Sequence, residues 1–212
     1  MYIGFISQKG GVGKSILCRS VAREYVANGW NVKIADMDTS QSTSFNWNSR
    51  RLKNNVEPTL RVEQFRRVED AIKIADGYDL MLFDGAPHAT RETLEIARIS
   101  DLLILPSGIS LDDLEPTVKL AHELKKEGIE RNKIAFALCR VGNSETEISE
   151  AKDYITNAGY FLLTGTIAEK TGYRRAIDLG KTLTETTHAT LNKQADILIQ
   201  SIINRLNDLT NG

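Results

Sequence analysis

The runs LMLF in YDLMLFD, LLILP in SDLLILPS and IAFALC in NKIAFALC are apolar at every position, not at every second one. A strand with one wet face alternates, whereas one that is apolar throughout must be covered on both sides. Strands are expected on this ground at Tyr2–Ser7, Asn31–Asp36, Asp79–Asp84, Leu102–Pro106, Lys133–Cys139 and Tyr160–Thr164. The less regular stretch Asn54–Arg66 leaves room for one edge strand around Leu60–Val62. Amphipathic segments between the runs predict helices at Lys14–Asn28, Ser42–Lys53, Val68–Ala75, Thr90–Ile99, Leu111–Glu127, Glu145–Asn157 and about Thr190–Leu209. This alternation specifies an α/β fold, doubly wound, with a mostly parallel sheet and helices on both faces. No Pro-, Gly- or Ser-rich linker and no internal repeat interrupts it, so residues 1–212 are read as a single domain. No separate DNA-reading module is expected ahead of the first strand.

Charge and cysteine content narrow the function classes. A formal net charge of −1 excludes a strongly basic nucleic-acid-binding chain, while leaving room for a local basic patch. Cys18 and Cys139 are far apart and set among apolar neighbours, which suits reduced, buried thiols and not a disulfide framework. The opening MYIGFIS is too short for a signal peptide or a membrane span. A soluble, cytoplasmic protein is expected. His88, His122 and His188 lack metal-ligand spacing and read as structural or solvated.

The stretch QKGGVGKS follows the first strand and opens a helix. Gly10, Gly11 and Gly13 let the backbone turn its N–H groups inward, and the helix N-terminus adds its positive end. Lys14 can then reach the β- and γ-phosphates of a nucleotide, and the Ser15 hydroxyl can complete a Mg²⁺ shell. A second lysine, Lys9, stands at the outer end of the same loop. Spacing leaves two readings open: a solvated loop lysine, or a cation that reaches a nucleotide held by a second subunit.

Two further carboxylate sites follow in order. NVKIADMDTS places Asp36 and Asp38 at the end of the second strand, beside the phosphate loop of a doubly wound sheet. A carboxylate there can orient an attacking water or hold metal-bound waters, and Asp is equally suited to a turn. YDLMLFDGAP ends a buried strand on Asp84, placed to meet the Mg²⁺ shell directly or through water. Gly85 follows, where a backbone N–H can sense the γ-phosphate.

The string KGGVGKS resembles the deviant Walker A motif, K-G-G-x-G-K-[ST], of the ParA/MinD ATPases. That resemblance implies ATP and Mg²⁺ as cofactors and nucleotide contacts along Lys9, Gly10, Gly11, Val12, Gly13, Lys14, Ser15 and Ile16. It favours the second reading of Lys9, as the signature lysine acting across an ATP-dependent homodimer. ADMDTS is similar to the family's D-x-D-P-Q element, which implies water positioning by Asp38 with Asp36 in support; Thr39 stands where the family usually has Pro. Asp84 and Gly85 match a Walker B and switch position, and DGA looks like the small plasmid-partition members. SDLLILPSGISLDDLEPT and TGTIAEKTGYRRAIDLGKTLTET extend the likeness over nearly the whole chain.

Members of the family differ in what the ATP-bound dimer holds. MinD-like proteins carry a basic amphipathic C-terminal helix for membranes, but ADILIQSIINRLNDLTNG offers only Arg205 against Asp196 and Asp208. Packing on the sheet is the better reading, so no membrane role is expected. The ParA-like branch binds DNA without sequence preference and answers to a ParB-like adaptor. Candidate phosphate contacts here are Arg174, Arg175, Lys181, Lys193 and Arg205, each of which could equally be solvated charge. A ligase of the dethiobiotin-synthetase type would need a polar substrate pocket that the sequence does not display. An iron–sulfur reductase of the nitrogenase iron-protein type would need interface cysteines, which Cys18 and Cys139 do not provide.

Overall fold

The computed structural model describes residues 1–87 and 91–210. Seven strands form one sheet: β1 (Tyr2–Ser7), β2 (Val32–Asp36), β3 (Arg61–Gln64), β4 (Leu80–Pro87), β5 (Leu102–Ser107), β6 (Ile134–Val141) and β7 (Phe161–Ala168). Their order is β3-β2-β4-β1-β5-β6-β7, and every neighbouring pair is parallel. The helices are α1 (Lys14–Ala27), α2 (Thr43–Lys53), α3 (Val68–Ile72), α4 (Arg91–Ile99), α5 (Leu111–Lys126), α6 (Glu145–Asn157), α7 (Thr171–Asp178) and α8 (Ala189–Thr210).

The wholly apolar strands split their side chains between two cores, as the period of two requires. Leu80, Leu82, Leu102 and Ile104 face a layer built by α1, α2, α7 and α8, with Leu17, Trp47, Tyr173 and Leu198. Met81, Phe83, Leu103 and Leu105 face the opposite layer of α3 to α6, with Ala71, Ile96, Leu124 and Ile155. Leu198, Ile199, Ile202 and Leu206 of α8 are all 0% exposed, so the last helix is core and not a surface appendage. Among the described residues, no helix is long and apolar enough to cross a membrane.

Several expectations needed adjustment. The extra edge strand exists but runs Arg61–Gln64, with alternating exposure as an edge allows. The third helix stops at Ile72, and a short 3₁₀ turn at Ala75–Gly77 completes that stretch. Helix α7 had no counterpart in the sequence reading. His88 and Thr90, the latter the expected start of the fourth helix, lie outside the described residues.

Candidate functional site

All parallel strands deliver their C-terminal ends to one edge of the sheet, where a doubly wound fold binds ligands. The loop after β1 turns there because Gly11 and Gly13 hold φ of 75° and 116°, the left-handed region that other residues enter at a cost. Gly13 has a second constraint: a Cβ on it would stand 3.0 Å from the Cys139 sulfur. Lys14 is buried, and its Nζ donates to the Lys9 carbonyl at 3.1 Å, so the side chain folds back over the loop. Burial lowers its pKa, with Asp84 and then Asp38 acting in the opposite direction.

Asp84 lies in the buried part of β4, which runs from Leu80 to Gly85, and is 2% exposed. Its Oδ1 accepts from the Ser15 hydroxyl at 3.0 Å and its Oδ2 from the Ser44 hydroxyl at 2.5 Å. Desolvation pushes its pKa up, and Arg19 is the largest opposing influence. Asp36 stands in register with Asp84 on the neighbouring strand. Its Oδ2 accepts from the backbone N–H of Ser44 and of Phe45, each at 2.9 Å, and its Oδ1 from that of Asp38 at 3.2 Å. Asp36 therefore ties down the first turn of α2 and supports the Asp38 loop. Asp38, 8% exposed, accepts from the Ser40 hydroxyl at 2.6 Å and the Gln41 N–H at 3.1 Å. It closes a turn and also lines the cleft; the two readings open at the sequence level are compatible.

Lys9 sits on the rim with its side chain 41% exposed. Its Nζ pairs with Asp113 in the first turn of α5 at 2.9 Å, and the Ser110 hydroxyl donates to the other Asp113 oxygen at 3.0 Å. Gly10, Gly11, Gly13, Lys14, Ser15, Ile16, Asp38 and Gly85 share one cavity of about 240 Å³. Val12 is buried and does not line that cavity. The donors suit their expected ligands: hydroxyl and carboxylate oxygens for a hard divalent cation, an ammonium and inward amides for phosphate.

Sequence reasoning missed two parts of the site. Beside the phosphate loop lies a second cavity of about 250 Å³ with apolar walls from Ile16, Cys139, Ile167 and Tyr173. Arg140 and Arg174 pair with Glu169 on its rim, each at 3.7 Å. Such a slot fits a planar base next to a phosphate site. Its walls come from the ends of β6 and β7 and from α7, and the position of those strand ends was the available signal. The other omission is Arg19, buried on α1 beside Ser44.

The five basic candidates do not form one patch. Arg174 and Arg175 lie on α7 and Lys193 on the first turns of α8, near the site end of the sheet. Arg205 stands apart from them: it stacks over Phe161 at 4.1 Å and donates to the Asn132 carbonyl at 2.5 Å, at the opposite end of the strands. It belongs to the packing of α8. Both cysteines are buried and free, and His122 Nδ1 is 2.7 Å from the Tyr160 hydroxyl. Among the described residues, no group of three or more His, Cys, Asp or Glu side chains is arranged for a metal ion.

The profile of the CobQ/CobB/MinD/ParA nucleotide-binding domain matches residues 3–207. No curated protein matches the chain. Among solved structures, the cell division ATPase MinD of Pyrococcus furiosus is similar with a TM-score of 0.75 and 18% identity, over 96% of this chain and 98% of that one. The septum site-determining protein MinD of Pyrococcus horikoshii OT3, complexed with Mg-ADP, gives 0.76 and 17% over 100% and 99%. A Borrelia burgdorferi B31 protein assigned to plasmid partition, bound to AMPPNP, gives 0.71 and 17% over 96% and 98%. At these identities the structural likeness speaks for the fold.

Proposed function

Because the chain belongs to the CobQ/CobB/MinD/ParA family of nucleotide-binding domains, we propose that it is a Mg-ATP-dependent partition ATPase. In this reading it dimerises on binding ATP, holds DNA without sequence preference in that state, and releases it on hydrolysis stimulated by a ParB-like adaptor. It would be cytoplasmic, and nucleoid-associated when ATP-bound. The carrying observation is that Lys14, Ser15, Asp38 and Gly85 converge on one cleft, with Ser15 hydrogen-bonded to Asp84.

Each residue has a role that its geometry supports. Lys14 and the loop amides hold the β- and γ-phosphates. Ser15 and Asp84 would hold Mg²⁺, with Asp38 reaching metal-bound water; when bound, the ion offsets charge on the phosphoryl oxygens. Asp38 orients the attacking water, and the Gly85 N–H senses the γ-phosphate. The apolar cavity beside Ile16 takes the base. Lys9, half-exposed on the rim, reaches the partner's nucleotide once it leaves Asp113. The relatives that hold Mg-ADP and AMPPNP support ATP with Mg²⁺ as the ligand. A DNA-bound over a membrane-bound dimer is favoured by α8, whose apolar face is spent on the sheet.

Light scattering tests this. A dimer mass is expected with a slowly hydrolysed ATP analogue and a monomer with ADP. Lys9→Ala should keep nucleotide binding but lose the dimer and hydrolysis, while Lys14→Ala should lose nucleotide binding. A monomer in every nucleotide state would sink the reading. Turnover that needs a small acceptor molecule would replace it with the ligase alternative.

A further inference from the structure

Arg19 is the least expected charge in the molecule. It follows Ser15 by one helical turn, lines the nucleotide cleft, and is 3% exposed. A guanidinium removed from water this far needs partners. Its Nε donates to the Ser44 hydroxyl at 2.8 Å, and that hydroxyl donates in turn to Asp84 at 2.5 Å. The guanidinium also lies 5.1 Å from the Trp47 ring centroid, while Arg51 approaches the same ring at 5.5 Å. Nη2 is buried with no hydrogen-bond partner. An apolar residue at this place would pack against Trp47 without that desolvation cost, so packing alone does not account for an arginine.

What the charge does follows from where Ser44 sits. Ser44 lies in the first turn of α2, and its N–H is tied to Asp36. Residues Asp38 to Ser42 are strung between two fixed points, the end of β2 and the start of α2. Arg19 fixes the second point from below and binds it to the carboxylate that meets Ser15. We infer that Arg19 is a positioning residue for hydrolysis. Through Ser44 it locks the Asp38 loop to Asp84, so that the water-orienting carboxylate and the phosphate loop keep one geometry. The inference rests on the proposed role of Asp38.

The test is a double-mutant cycle on Arg19→Met and Ser44→Ala, reading both kcat and nucleotide affinity by calorimetry. Arg19→Met keeps most of the stem and removes the charge and the donor. Misplacing a catalytic group by a fraction of an ångström to an ångström lowers kcat on the order of 10- to 100-fold. That loss is expected for Arg19→Met, with nucleotide affinity within about 3-fold of the parent. The double variant should be no slower than the slower single variant, because both changes cut the same link. Parent-like kcat, multiplicative losses, or a loss of affinity that matches the loss of kcat/KM would each overturn the inference. If Arg19→Met does not give a cooperative melt, Arg19→Lys carries the test: slowed turnover at unchanged affinity supports the assignment, parent-like turnover overturns it. Asp38→Asn separates the two layers. If that variant hydrolyses ATP like the parent, the underlying reading of Asp38 falls; if it is inactive while Arg19→Met is normal, only the role of Arg19 falls.

Discussion

The carboxyl of Asp36 accepts three backbone N–H donors, yet burial and then the nearby Asp84 push its pKa up to about 6 from 3.8. Below about pH 4 it is protonated in both the folded and the unfolded chain. Between there and about 6 the folded chain keeps a proton that the unfolded chain has released. Its contribution to stability is therefore complete at the low end and lost as pH rises through about 6. The loss amounts to about 3 kcal/mol. Asp36→Asn cannot titrate, so its stability relative to the parent should rise by that order between pH 4 and pH 7. Urea unfolding without nucleotide or Mg²⁺ at the two pH values checks this, and a constant gap would refute it. At this scale the sequence was legible wherever one local segment carries both the backbone shape and the chemistry, as from Gly10 to Ser15. Arg19 was not legible, because its burial depends on α2 packing over it through Trp47, and no local pattern encodes that contact.

Strands and long helices could be read because each is a run of one pattern, and two-sided burial leaves that pattern unmixed. Helix α7 escaped because it is only 8 residues long, shorter than the window of about 11 residues over which a helical period can be told from chance. Strand β7 was cut short at Thr164 for a different reason. Gly165 reads as a break, but the strand continues through it to Ala168 with Gly165 at a φ of 91°. The cause is α8. A Cβ at Gly165 would stand 2.8 Å from the Leu198 backbone nitrogen, so this glycine lets the last helix lie on the sheet. Gly165→Ala combines a left-handed φ with a clash against backbone, and should cost at least about 2 kcal/mol. Chemical unfolding measures the loss. A parent-like midpoint would mean that α8 can lift without penalty, against its fully buried seam.

At the scale of the whole molecule the open matter is how a chain with a net charge of −1 would hold DNA. Phosphate binding depends on local cations, not on the total. Arg174 is engaged with Glu169 and Arg205 with Phe161 and Asn132, so each would give up a contact to reach a phosphate. Arg175 and Lys193 are exposed and in no ion pair among the described residues; Lys181 is half-buried at the turn after α7. A monomer then offers few free cations, and a two-fold dimer doubles them on one assembly. Under the proposed function ATP would then be the switch for DNA affinity, since nucleotide-driven pairing would change the number of phosphates met at once. Affinity for random duplex DNA should fall steeply with salt for the ATP-analogue form and be weak for the ADP form. Arg175→Ala should reduce the slope of log affinity against log salt by about 0.9 for each lost contact, hence about 1.8 in the dimer. Arg205→Ala should leave that slope unchanged while lowering stability, because its stem and guanidinium cover Phe161. If Arg205→Ala flattens the slope and Arg175→Ala does not, the DNA surface lies at the other end of the sheet, and the coupling of DNA to the nucleotide edge must be abandoned.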